Sequence, residues 1–302
     1  MARARTTDPL QPELLRGEMR RILAEVVGDV DGVIQHHRPT PASLHRLHRE
    51  MRRLRTALLV WEELLGAAGR VQLHPLAVRV RRLTRLVGQV RDRDVTLGLL
   101  ETVADHAATE EEAEQLRQYR FRLEEDARTG RELLRAFLRS ERQARLFDLV
   151  GEAFDLRTRA LGSANLRRVL SEHQHRGREK VVSAHRKARR RPSMDRLHRL
   201  RIRVRRLRQM SELAGAVDPA HDATLAESLR RIQQKLGRLH DLDVVVQDLD
   251  PTLRDSSWAR LLRKERRRQR KAITKALDAR KPSHHPEVSP GPARRAVRTT
   301  RP

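Results

Sequence analysis

His198-Arg-Leu-Arg201-Ile-Arg203-Val-Arg205-Arg206-Leu-Arg208 and His45-Arg-Leu-His48-Arg-Glu-Met-Arg52-Arg53-Leu-Arg55 are two copies of one pattern, 153 positions apart. In each copy His, a second basic residue and Arg-Arg-x-Arg fall at i, i+3, i+7, i+8 and i+10. A helix turns about 100° per residue, so i, i+3, i+7 and i+10 share a sector of about 80°. Leu44, Leu47, Met51 and Leu54 repeat the same spacing one residue earlier, as do Leu197, Leu200, Val204 and Leu207. Each copy is therefore a helix with an apolar seam and a basic ladder along its edge. Two such ladders suit an extended polyanion.

The composition points the same way. The 302 residues hold 66 basic and 40 acidic side chains, a formal charge of +26, so the expected partners are anionic. All but 7 of the basic residues are Arg, whose planar fork matches phosphate oxygens, although an Arg-rich coding bias gives the same skew. Aromatic residues are 2% of the chain, too few for the stacking platform that single-stranded nucleic acid uses. A polyanion without bases is favoured over nucleic acid, which is left as a nonspecific ligand. No cysteine is present, which removes disulfides, thiolate chemistry and Cys-based zinc sites. No apolar run approaches the ~20 residues of a membrane span. The stretch Met1 to Asp8 has basic residues and no apolar region behind them, unlike a secretory signal. A cytoplasmic protein with no membrane contact is expected.

Apolar residues recur with helical period almost throughout, and Val244-Val245-Val246 is too short to argue for a strand. Helices are expected near 10–37, 43–66, 74–105, 109–139 and 141–155, then near 163–190, 193–214, 219–249 and 255–280. Ser43 is read as the N-cap of the first ladder helix, Gly66 and Gly69 as its end, and Pro75 as the start of the next. Pro192-Ser193 and Gly215 bracket the second ladder, and Pro219 opens its successor. The expected fold is all-α and internally duplicated, with two four-helix bundles facing each other around a basic central surface. The halves are 10–160 and 161–281; residues 282–302, with five of the 13 prolines, read as a disordered basic tail.

A second motif also repeats: Gly88-Gln-Val-Arg91-Asp92-Arg-Asp94-Val95 and Gly237-Arg-Leu-His240-Asp241-Leu-Asp243-Val244, with Arg82 and Arg231 six positions before each glycine. Paired carboxylates invite an acid–base or metal reading. Among so many arginines, aspartates more simply fix guanidiniums by charge-assisted bonds, and no catalytic residue is assigned. His45 and His48 have a spacing that metals use, but the matching pair is His198 and Arg201, and Arg is no ligand. No metal and no cofactor are expected. A histidine that donates to phosphate suits both copies, gaining charge as the pH falls toward about 6.

His198-x-x-Arg201-x-x-x-Arg205-Arg206-x-Arg208 and Gly237-x-x-His240-Asp241-x-Asp243-Val244 resemble the signatures of the conserved histidine α-helical domain, the CHAD family, over residues 12–280. The resemblance implies two four-helix bundles around a basic central surface that binds inorganic polyphosphate, in a family many of whose members are found on polyphosphate granules; a non-enzymatic binding module is expected. It puts His45, Arg52, Arg53, Arg55, His198, Arg201, Arg205, Arg206 and Arg208 at that surface, with Arg82 and Arg231 as neighbours. His48, also a candidate, stands where the family usually has Arg or Lys, which implies weaker binding by the first half at neutral pH. His240 replaces the Arg expected before the first Asp. Two rival readings remain: a nucleic-acid-binding protein, and a metal-dependent phosphohydrolase built on Asp92, Asp94, Asp241 and Asp243. Protein partners are not legible.

Overall fold

The computed structural model describes residues 12–36, 39–155, 163–218 and 223–279. Their regular structure is all helical: α1 (Pro12–Gln35), α2 (Pro41–Leu64), α3 (Gly66–Glu101), α4 (Glu110–Leu138), α5 (Glu141–Asp155), α6 (Ser163–Arg190), α7 (Met194–Val217), α8 (Ala223–Asp248) and α9 (Ser257–Ala279), with 3-10 turns at Ala104–His106 and Pro251–Leu253. The ladders lie on α2 and α7. Pro219 and the tail at 282–302 fall outside the described residues.

Helices α1 to α4 pack in sequence and α4 returns to α1, while α6 to α9 do the same and α9 returns to α6. Helix α5 lies against α1, α3 and α4. The two groups meet where α2 touches α6 and α7, α3 touches α8, and α1 touches α7. Their apolar interiors are not separate. Leu166, Val169 and Leu170 of α6 and Met210, Leu213 and Val217 of α7 belong to the same buried cluster as Leu15, Leu54 and Trp61. There the Trp61 indole donates to the Ala153 carbonyl at 2.8 Å and meets Phe154 edge-on. A second cluster joins Leu100, Val103, Leu116 and Tyr119 to Leu242, Val245, Leu249 and Trp258. Only the third, around Leu200, Val204, Leu236 and Ile273, is confined to the second group. Each half thus completes its core with the other, which holds the two ladder helices in a fixed relation.

Three expected boundaries change. The cap of α2 is Thr40, whose hydroxyl accepts from the Ser43 amide at 3.1 Å, with Pro41 in the first turn; Ser43 is already inside. Gly66 opens α3 rather than closing α2. Its φ of +67° reverses the chain almost within one residue, so the next helix starts at once. Pro75 therefore sits inside α3, where it costs one backbone bond. Leu73, fully buried in the first cluster, anchors the preceding turn. Likewise α7 continues through Gly215 to Val217, because Ala214 and Val217 are buried.

Candidate functional site

The ladders face each other. The charges of Arg205, Arg91, Arg201 and Arg208 all act on Arg52, and those of Arg201, Arg55, Arg206 and Arg91 act on Arg205. These charge interactions come in pairs related by the same offset as the sequence: Arg208 acts on Arg52 as Arg55 acts on Arg205, and Arg201 acts on Arg52 as Arg205 acts on His48. Burial first, and this mutual repulsion second, push Arg52 down to about 9 and Arg205 to about 10, both still cationic at neutral pH. The Nε–H groups of Arg52, Arg205 and Arg208 are buried without a hydrogen-bond acceptor. Such donors are costly to leave unpaired, and an anion between the helices would satisfy them. The second apolar cluster and the shared part of the first keep the cations together against their repulsion.

The second motif brings further groups. Asp92 and Asp241 approach each other from α3 and α8, flanked by Arg91 and Arg201, and burial raises both carboxyls. Arg91 donates to Asp92 at 2.9 Å and also to His45 Nδ1 at 3.3 Å, while in the second group His198 Nδ1 lies 3.3 Å from His240 Nδ1. The other aspartates face away: Asp94 is bound by Arg131 of α4, and Asp243 by Arg266 of α9 at 3.0 Å. These two tie the last helix of each group to the third, the guanidinium-fixing role the motif suggested. Among the described residues, no group of three or more His, Asp or Glu side chains converges as a metal-holding cluster.

The histidines behave differently from the expectation. Burial, then the charges of Arg52, Arg91 and Arg205, push His48 down to about 2; burial, Arg201 and His198 push His240 to about 3. His45 and His198 are lowered for the same reasons. His48 and His240 are therefore neutral at pH 6 in the unliganded protein and add no charge there by themselves, and His45 and His198 are shifted in the same direction. His48 also packs tightly: a Cβ on Gly88 would lie 3.1 Å from its ring, which the bare glycine avoids.

Of the predicted site residues, His45, His48, Arg52, Arg55, His198, Arg201, Arg205 and Arg208 are gathered in or beside this cluster. Arg53 is not. It binds Glu25 at 2.9 Å, Glu50 at 2.6 Å and Glu18 at 3.2 Å, tying α2 to α1. The i+8 position lies about 80° from the His on the side away from the ladder, which explains its separate partners. Glu50 is buried, so removing its partner leaves a poorly compensated charge. Arg53→Met is expected to lower the unfolding free energy by about 1–3 kcal/mol, since Arg49 and Arg21 still hold Glu50 and Glu18. A urea titration with an unchanged midpoint would contradict this.

Arg206, the counterpart of Arg53, faces Arg203 and Arg81 in a groove beside the cluster rather than in it. Arg82 and Arg231 are exposed on the outside, Arg231 lying 3.9 Å from Glu227. The cation from α3 that reaches Arg55 is Arg81. Seven residues are nearly two turns, so position 81 shares a face with Gly88 to within about 20°, and position 82 does not. Sequence reasoning thus missed Arg81 and Arg203, and left Arg91 and His240 unassigned although both stood in the repeated motif.

A profile of the CHAD domain family matches residues 18–244 and 205–285. The crystal structure of the CHAD domain from the plant Ricinus communis aligns with a TM-score of 0.64 over 93% of this chain and 96% of that one, at 21% identity, a likeness of fold. A search of curated proteins finds no match.

Proposed function

We propose, from the premise that the chain belongs to the CHAD domain family, that it binds inorganic polyphosphate without turning it over. The observation that carries this is the half-buried set of Arg52, Arg205 and Arg208, whose three buried Nε donors lack acceptors although Arg208 also pairs with Glu212 at 3.1 Å, between two ladders of matching spacing. A linear phosphate chain is narrow enough to enter between helices and presents an acceptor at each repeat. Ten residues of ladder span about 15 Å, room for several successive phosphates. Arginines that displace condensed counterions along a polyanion give an affinity that falls steeply with salt. Because the helices hold the guanidiniums in place beforehand, little ordering is left to do on binding.

Titration calorimetry with long-chain polyphosphate at two salt concentrations tests the reading. Tight binding that weakens steeply with salt is expected, and Arg53→Met should leave it unchanged. Affinity insensitive to salt would sink the electrostatic mechanism. Nucleic acid remains the alternative suggested by charge. It is disfavoured because a duplex reaches only exposed side chains, and the buried Nε donors of Arg52, Arg205 and Arg208 would stay unsatisfied. Excess polyphosphate should therefore displace DNA, with DNA failing to displace polyphosphate. Asp92 beside Asp241 favours a hydrolytic second reading. Phosphate release that depends on magnesium would establish it. No described helix is long and apolar enough to cross a membrane, and residence on cytoplasmic polyphosphate granules forms part of the same proposal.

A further inference from the structure

Beside the cationic cluster, α2, α3, α6 and α7 enclose a groove of about 1030 Å³. Its lining changes character in order. At one end stand Arg55, Arg81, Arg203 and Arg206, whose charges act on one another. Leu59, Val78, Leu207 and Met210 form the middle. At the other end Glu62 lies 3.5 Å from His74, and Glu63 is held by His173 at 2.7 Å and Arg176 at 2.6 Å; Arg70 and Lys180 also line the groove. The order is imposed by the helices. Arg55, Leu59 and Glu62 are at i, i+4 and i+7 on one face of α2, about 10 Å from first to last. Helix α3 runs the other way, with Arg81 opposite Arg55 and His74 opposite Glu62.

A bare phosphate chain fits only one end of this groove. The apolar walls offer it nothing and Glu62 repels it, while Glu63 already occupies Arg176 and His173. Leu59 at 48% exposure and Val71 at 79% are large apolar side chains left open to water on a strongly basic protein. Carboxylates suit hydroxyl and amine donors instead, as where an acidic residue accepts from a ribose hydroxyl. The sequence cation, apolar wall, carboxylate is that of a linear phosphate chain, an organic body and its polar rim.

We propose that this groove is a separate site for a nucleoside triphosphate, with the phosphates at Arg55, Arg81, Arg203 and Arg206 and the nucleoside between Leu59 and Glu62. The proposal rests on the polyphosphate reading for Arg55 and Arg206, which the two sites share. The nucleoside half rests on residues outside the ladders. Because Arg55 also faces Arg205, a nucleotide here and a polyphosphate chain in the cluster would compete at their common boundary.

The test is calorimetry of the full chain with ATP, tripolyphosphate and long-chain polyphosphate, repeated for Leu59→Gln and Glu62→Gln. Leu59 is half exposed, so its replacement should leave the fold intact. One ATP per chain is expected, on the order of tenfold tighter than tripolyphosphate despite its lower charge. Both variants should weaken ATP severalfold. Tripolyphosphate should be unmoved by Leu59→Gln and tightened, if it changes at all, by Glu62→Gln, because a repelling charge is gone. Saturation transfer from protein methyl groups to the nucleoside protons should accompany binding. ATP no tighter than tripolyphosphate, or variants that shift both ligands by the same factor, would overturn the nucleoside site. Retained binding of long-chain polyphosphate confines that failure to the groove, and its loss removes both readings.

Discussion

Arg52→Met and Arg205→Met are each expected to stabilise the unliganded protein while weakening polyphosphate binding. The two effects have one cause. Each guanidinium is buried among like charges and is held well below its usual range, to about 9 for Arg52 and about 10 for Arg205. One pKa unit corresponds to about 1.4 kcal/mol, so the cation at Arg205 costs the fold on the order of 3 kcal/mol before any ligand arrives. Methionine keeps most of the aliphatic packing and removes both the charge and the unpaired Nε donor. In a chain of this length, a gain of a few kcal/mol raises the melting temperature by about 2–6 °C. Loss of one charge-assisted contact to the ligand weakens binding by about 10–100-fold. Arg53→Met should do the reverse on both counts, losing stability and keeping affinity. Calorimetric melting and titration of the three variants decide the matter. If Arg52→Met and Arg205→Met melt lower and still bind, those residues are structural and the site lies elsewhere.

The nine helices of the described residues were legible because one apolar period runs through nearly the whole chain, with prolines and glycines near the breaks. The ladders were legible from their spacing and repetition. What stayed hidden depends on partners distant in sequence. Arg53 lies among the ladder residues in the chain, yet its guanidinium is claimed by Glu18 and Glu25, more than two dozen residues upstream. The angular position of i+8 already sets it apart, and the choice between Arg81 and Arg82 follows from the same arithmetic. Other features had no such signal. Leu166 and Met210 have the periodicity of residues that fill their own bundle, but they complete the core around Trp61. Apolar spacing tells which face is buried and not against which half. The ionisation of the histidines was hidden for the same reason: Arg205, which acts on His48, is contributed by the opposite half.

That ionisation sets the pH response. His48 and His240 are pushed to about 2 and about 3, against an ordinary value near 6.5, by burial and by neighbouring arginines. Their folded pKa is depressed, so the unfolded chain takes up protons first. The stability they contribute is complete above about pH 6.5 and is lost as the pH falls below it. Each contributes a slope of up to about 1.4 kcal/mol per pH unit, with less for the more accessible His240. His45 and His198 add to it in the same direction. Asp92 and Asp241 act in the opposite sense, since burial raises them and the folded chain takes up their protons first. The depression of His48 and His240 is the larger effect, so between about pH 6.5 and 4.5 the free protein should melt at progressively lower temperature. Phosphates placed among the same arginines would cancel much of the repulsion and draw the histidines back up. Binding should then take up protons, and affinity should strengthen across this window, because linkage requires the two to go together. Melting curves from pH 7.5 to 4.5 with and without polyphosphate measure it, and His48→Asn should flatten the slope of the free protein. A melting temperature that falls equally in both series would mean that the ligand never comes near the histidines, and the arginine cluster between α2 and α7 would not be where polyphosphate binds.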